Sequence, residues 1–417
     1  MIPRLRTPDS TLRFLAQGYT FVGRQARSVG GDAFRTRLML RPVVCLYGAE
    51  AAGFFYGGGR FSRAGALPLS VVHLLQDAGS VQTLEGAAHD HRKLMFLAAQ
   101  REEQIALLIE AFRDEWADAA ERWQRLPEVD LYREAVGVLA RSATRWAGLE
   151  PAPEWLADTL STMVDRAATV GPPNWAARAR RRRAERWAQE VVEQIRSGRR
   201  TPPEGSLAGT IAGHLDLEGR LLPAEVAAVE LLNILRPTVA VARFVVFAAL
   251  ALHRHPEWAG RVAADPDDRL HFAQEVRRFY PFFPVIGGVA TRELEFRGER
   301  LRQGQWVLLD LFGTNRDERT WARPERFDPD RFADWDGDPD TLVAQGAGDV
   351  AHGHRCPGET ATVALVVEAT RLLTTGLDYR VPPQDLRIGL RRMPALTVDD
   401  LTIADVRVRD AAPAGSA

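Results

Sequence analysis

The sequence predicts a mainly α fold with minor β, on three observations. Apolar residues recur at helical spacing over most of the first half of the chain, from His89 to Arg125 and again from Glu128 to Ala147 and Pro151 to Ala168. The stretch from Pro223 to His253 is apolar on nearly every side, which marks a helix buried in the middle of a domain. At 1.5 Å rise per residue it would run about 46 Å. Strand-like runs are short and confined, to Arg35–Tyr47, Val285–Leu309 and Thr397–Val408.

In chain order, Arg35 to Tyr47 is rich in Leu, Val and Thr and reads as a strand pair, and Ala49 to Tyr56 as a short helix. His89 to Arg125 gives one or two long helices. Gly171-Pro172-Pro173 then breaks the chain. Asn174 to Arg196 follows as a basic helix with Arg180-Arg181-Arg182-Arg183, read as a solvated face because Glu185 and Glu190 supply partners at helical spacing. Pro223 suits a first helical turn. Asp265 to Tyr280 is a further helix, and a turn-rich meander runs from Asn315 to Asp340. An apolar helix from Thr360 to Leu373 follows a Gly-rich loop. One domain over 1–409 and a frayed tail over 410–417 are expected.

The 417 residues are 46% hydrophobic and 26% charged, enough apolar material for a large core. A net charge of −1 gives no global attraction to nucleic acid. The two cysteines, Cys45 and Cys356, do not make a disulfide framework, and a reducing compartment is the simpler reading. No signal peptide or membrane anchor is expected, and a cytoplasmic location follows. Lys93 is the single lysine, a matter of base composition.

Chemistry concentrates on Cys356, in Gly353-His354-Arg355-Cys356-Pro357-Gly358-Glu359 at the mouth of a helix. The partial positive charge of a helix N-terminus favours thiolate over thiol, and a thiolate is a nucleophile or a metal ligand. His352-x-His354-x-Cys356 lacks a second Cys/His pair to complete a zinc site. Nothing identifies the base that a nucleophilic cysteine needs. Cys45, in Val43-Val44-Cys45-Leu46, reads as an inert buried thiol. Two further signals come before the loop: Glu275 and Arg278, three apart on one helix face, and Pro324-Glu325-Arg326-Phe327.

Glu-x-x-Arg, then Pro-Glu-Arg-Phe, then a Cys-x-Gly loop opening a helix resembles the cytochrome P-450 family. The resemblance covers essentially the whole chain, since the long buried helix matches the family's central helix. It implies the P-450 fold, with that helix over haem b, and Cys356 as the axial ligand of the iron. It implies Glu275, Arg278 and Arg326 as a structural triad behind the haem. His89, Lys93 and His354 match family positions that meet the haem propionates, where cations suit two carboxylates.

The chain departs from the common pattern in Asn233-Ile234-Leu235-Arg236-Pro237-Thr238-Val239, where most members carry an acid and a threonine that serve dioxygen. Pro237 removes the backbone hydrogen bond to Asn233 and implies a kink. Arg236 is a cation in an apolar helix and needs an anionic partner, either a protein carboxylate or a ligand. The Arg-Pro pair, Arg278-Phe279-Tyr280-Pro281-Phe282-Phe283-Pro284, and Asp349 in place of the usual Phe resemble the fatty-acid peroxygenase branch, which uses hydrogen peroxide as co-substrate and no redox partner protein. The resemblance implies that Arg236 clamps the carboxylate of a long-chain fatty acid. That carboxylate then supplies the missing acid–base group for O–O cleavage.

Gln82 aligns with a branch position that is His in decarboxylating members and Gln in hydroxylating ones. Mainly α/β-hydroxylation is expected, with decarboxylation minor, and Phe282 and Phe283 line the alkyl channel or simply pack the core. The competing readings are a decarboxylase making terminal alkenes, a reductase-dependent monooxygenase, and a non-catalytic haem carrier or sensor. Arg236 argues against the last two.

Overall fold

A computed structural model describes residues 2–75, 79–149 and 151–409. The expected tail over 410–417 lies outside the described residues. The helical body is built from Gly86–Ala98, Glu102–Trp123, Leu131–Trp146, Trp155–Asp165, Pro172–Arg196, Ala224–Ala240, Ala242–Arg254, Pro266–Phe279 and Glu359–Arg371, with shorter helices between them. Their apolar stripes meet in one large core around Trp116, Trp123, Leu139, Phe247 and Leu365. The central helix is buried as its composition requires. It is long and apolar enough to cross a membrane, yet 94% of its most apolar window lies inside the protein.

The central helix is interrupted one turn after Pro237. Val241 sits between Ala224–Ala240 and Ala242–Arg254, and its N–H turns to Thr238 at 3.2 Å in place of Pro237. Every residue from Ala227 to Leu252 is buried except Pro237, which is exposed.

The strands are β1 (Ala33–Leu38), β2 (Arg41–Leu46), β3 (Phe61–Ser62), β4 (Glu128–Asp130), β5 (Val285–Ala290), β6 (Leu294–Phe296), β7 (Glu299–Leu301), β8 (Trp306–Asp310), β9 (Leu377–Arg380) and β10 (Thr402–Val408). The main sheet has the order β1-β2-β8-β5-β3, with β2 and β8 parallel and the other pairs antiparallel. Two smaller cores flank it. The β1–β2 hairpin turns through Met39 (φ 52) and Leu40 (φ 63), both left-handed. A two-residue turn of this hand favours Asn-Gly. Side-chain-bearing residues there cost roughly 1–2 kcal/mol each.

Two segments differ from the sequence reading. Glu128–Asp130 is a strand, because it pairs with β10 at Thr402–Ala404, far along the chain. The helix begins only at Leu131, where Asp130 caps it by accepting the N–H of Arg133 at 3.0 Å. β10 starts at Thr402, five residues later than expected.

Candidate active site

Cys356 lies three residues before Glu359–Arg371, and its N–H donates to the carbonyl of Gln345 at 3.0 Å. The residue keeps partial exposure. Depth nevertheless dominates its ionisation. Burial pushes the thiol pKa up, against the Gly358 N–H, the Gln345 side chain and Lys93, which lower it. The helix mouth alone therefore does not make a thiolate here; a bound cation would. Beneath the loop, Glu359 pairs with Arg277 and accepts from Arg355 Nε at 2.7 Å. Gln345 ties these together: its Oε1 accepts from Arg277 Nε at 3.0 Å and its Nε2 donates to Thr362 at 2.9 Å, 3.9 Å from the Cys356 sulfur.

Glu275 and Arg278 form a bidentate pair at 2.6 and 2.7 Å with both side chains fully buried. Arg278 also donates to the carbonyls of Asn315 at 2.8 Å and Pro324 at 3.1 Å, which pins the meander to the helix. The expected third member, Arg326, is corrected. Its side chain is exposed, and only its carbonyl faces the pair. Arg331 takes the place, with Nε 3.3 Å from Glu275 Oε2. The chain contains Pro-x-Arg-Phe twice, at 324–327 and 329–332. The second copy forms the turn Pro329–Phe332 against Pro266–Phe279.

The three residues matched to propionates converge. The His89 and His354 rings lie 4.4 Å apart. Lys93 is buried and donates to the carbonyls of Gly353 and, at 2.9 Å, Arg355. Burial draws its pKa down to about 8 and pushes that of His354 below the usual value. A fourth basic side chain, Arg63, is buried beside them. It stacks 4.6 Å over Phe55 and donates to Gly287 O at 2.7 Å. Glu85 stands among them, 3.5 Å from His354 and accepting the Arg63 N–H at 2.9 Å.

On the central helix, Arg236 is 4% exposed and forms no ion pair among the described residues. Its guanidinium donates to Asn233 Oδ1 at 2.9 Å and Leu74 O at 3.4 Å. Burial, then the nearby Arg181, pulls its pKa down to about 9. Asn233 is a junction. Its Nδ2 donates to Gln82 Oε1 at 3.1 Å and to Glu230 Oε2 at 2.9 Å. Glu230, fully buried one turn earlier, is committed to Arg92 at 2.8 Å and the Val81 N–H at 2.9 Å. Gln82, Asn233 and Arg236 thus form one hydrogen-bonded set.

The phenylalanines are not brought to that set. Phe282 stacks on Phe244 at 5.0 Å against the large core, and Phe283 packs against a smaller one. Cys45 is fully buried in β2, and burial followed by Asp310 raises its thiol pKa, as suits an inert side chain.

The model of the family described as Cytochrome P450 matches residues 271–371. Over the whole chain, the fold is similar to that of cytochrome P450SP alpha (CYP152B1) in complex with (R)-ibuprofen, at TM-score 0.94 and 40% identity, covering 96% of this chain and all of that one. The chain belongs to the cytochrome P450 family. Similar too are P450EX alpha (CYP152N1) with myristic acid, at 0.94 and 38% identity over 98% of this chain and all of that one, and an OleT variant in complex with arachidonic acid, at 0.95 and 33% identity over 99% of each. The chain spans well under half the length of the curated relatives it first matches by sequence.

The cofactor of a cytochrome P450 is haem, and the residues present fit one. Cys356 is set deep yet keeps partial exposure, so its sulfur is open to a ligand. Four basic side chains gather here and outnumber the carboxylates that touch them, Glu85 beside His354 and Asp90 3.1 Å from His89, an imbalance that suits a dianionic edge. Sequence reasoning missed Arg63, Asn233, Glu230, Gln345 and Arg331. A repeated Pro-x-Arg-Phe signalled Arg331, and the quoted central-helix motif already contained Asn233. Arg63 and Gln345 carry no local signal.

Proposed function

We propose that this cytochrome P450 uses hydrogen peroxide to hydroxylate long-chain fatty acids at the α or β carbon, with decarboxylation to a terminal alkene as a minor outcome and no redox partner. The observation that carries this is Arg236, a buried cation whose only protein partners among the described residues are an amide and a carbonyl. A buried charge without a counter-ion is costly, and a carboxylate ligand repays that cost. The bound molecules named for the similar structures, (R)-ibuprofen, myristic acid and arachidonic acid, are all carboxylic acids.

In this reading Cys356 would hold the haem iron, and Lys93, His89, His354 and Arg63 would hold the propionates. When bound, the haem would supply the oxidising chemistry that peroxide cleavage and C–H hydroxylation require. Arg236 fixes the head group, so oxidation falls on carbons next to the carboxylate and not along the tail. The held carboxylate takes a proton from one peroxide oxygen and returns it to the other. The chain leaves that task to the substrate: Asn233 is an amide, and Glu230 is spent on Arg92, Val81 and Asn233. Gln82 and Asn233 hold the guanidinium side of the site at a set orientation.

The test is a reaction of haem-loaded protein with peroxide and a fatty acid of twelve to eighteen carbons, without reductase or nicotinamide cofactor. Gas chromatography should show 2- or 3-hydroxy acids. A requirement for NADPH and redox proteins would sink the reading.

A further inference from the structure

The corner where the β1–β2 turn meets the N-terminal helix Thr11–Gln17 presents four large apolar side chains to solvent. Leu12 is 82% exposed, Leu40 77%, Leu15 57% and Met39 55%. Leu12 and Leu15 lie three apart, on one helix face. The corner is fastened. Thr11 Oγ1 accepts the Met39 N–H at 2.5 Å, and Asp9 Oδ2 accepts the Leu40 N–H at 2.7 Å. Ser10 N–H donates to Arg37 O at 2.8 Å, and its hydroxyl meets Thr36 at 2.7 Å.

Met39 and Leu40 both hold positive φ, where Asn-Gly would be unstrained. Large hydrophobes are thus kept at the tip against both conformational and solvent preference. Charge surrounds them. Residues 2–41 contain eight arginines and two aspartates, with no glutamate. Arg6, Arg13, Arg37 and Arg41 are exposed, Asp32 is buried, and Asp9 is occupied by backbone N–H groups.

We propose that this corner docks on the anionic surface of a lipid bilayer, with Leu12, Leu15, Met39 and Leu40 in the interface and the arginines on the headgroups. Protruding apolar tips ringed by cations match the layered chemistry of an anionic membrane, apolar below and negative above. Few residues insert, so attachment is reversible and depends on salt. The inference does not rest on the proposed reaction, and its test reads membrane binding alone.

Holoenzyme is sedimented with vesicles of phosphatidylcholine plus phosphatidylglycerol, and with phosphatidylcholine alone, at low and high salt. Binding to the anionic vesicles, weakened by salt, is expected. The pair Met39→Asn with Leu40→Gly relieves the turn, so its Tm should not fall, while vesicle affinity drops at least about tenfold. Leu12→Ser with Leu15→Ser should lose binding in the same way. Three results would overturn the proposal: no binding by the unmodified enzyme, equal binding by the turn variant, or a dimer without vesicles that the turn variant abolishes. The last would make the corner an interface between copies of the chain.

Discussion

Nε of Arg331 lies 3.3 Å from Oε2 of Glu275, while Arg326, five residues earlier in a matching Pro-x-Arg-Phe, points its side chain into solvent. The two arginines should therefore separate on mutation. Arg331→Ala uncovers part of a buried carboxylate and is expected to cost roughly 3–5 kcal/mol, with poor haem loading. Arg326→Ala is expected to stay within about 0.5 kcal/mol. Urea denaturation and the haem-to-protein absorbance ratio check both.

Arg236→Ala should remove fatty-acid turnover, and a short carboxylic acid added alongside should rescue it poorly because the anchor for either acid is gone. Asn233→Ala keeps the guanidinium but frees its orientation. The loss of one charge-assisted hydrogen bond of roughly 1.5–3 kcal/mol predicts a fall in kcat/KM of about ten- to a hundredfold. Steady-state rates with peroxide and dodecanoic acid measure both.

Gln82 accepts from Asn233, which in turn holds Arg236, so a change at 82 reaches the carboxylate clamp through two hydrogen bonds. Gln82→His is expected to raise the share of terminal alkene among the products. An unchanged product ratio by gas chromatography would show that the position does not control partitioning.

Cys356→Ser should abolish the thiolate-type Soret band of the reduced carbon-monoxide complex. Lys93→Met should keep that band but weaken haem retention, since Lys93 braces the loop at two carbonyls and, in the proposed reading, would also meet the propionates. Haem transfer to apomyoglobin distinguishes the two effects.

Asp310 is fully buried in β8, and burial holds its carboxyl protonated up to about 7. The unfolded chain ionises near roughly 4. Between those values the folded state binds more protons, so stability falls as pH rises through the window. Asp310→Asn should flatten that slope. Denaturation midpoints at pH 5 and pH 8 should differ less in the variant than in the parent.

The features legible in the sequence were those set by local contrast. Cys356 stands out by its loop, and Arg236 by being a cation beside a proline in an apolar helix. The structure brings Gln82 to Arg236, and His89, Lys93 and His354 to one another. What escaped depends on distant partners. Arg326 and Arg331 sit in equivalent local patterns, and only the register of the meander against Pro266–Phe279 chooses between them. Arg63 follows the two-residue strand Phe61–Ser62, too short for periodicity to have meaning. Glu128–Asp130 is a strand solely because β10 lies beside it. Phe282 and Phe283 show the converse, with aromatic neighbours in sequence turning to different cores.

The commitment of Glu230 to Arg92 and Asn233 has a protective side. With that carboxylate locked away, the proposed reaction leaves peroxide that enters alone without Glu230 to shuttle its proton. On that reading fatty acid is the key as well as the cargo, and the ten tryptophans and five methionines of the chain meet less stray oxidant while none is bound.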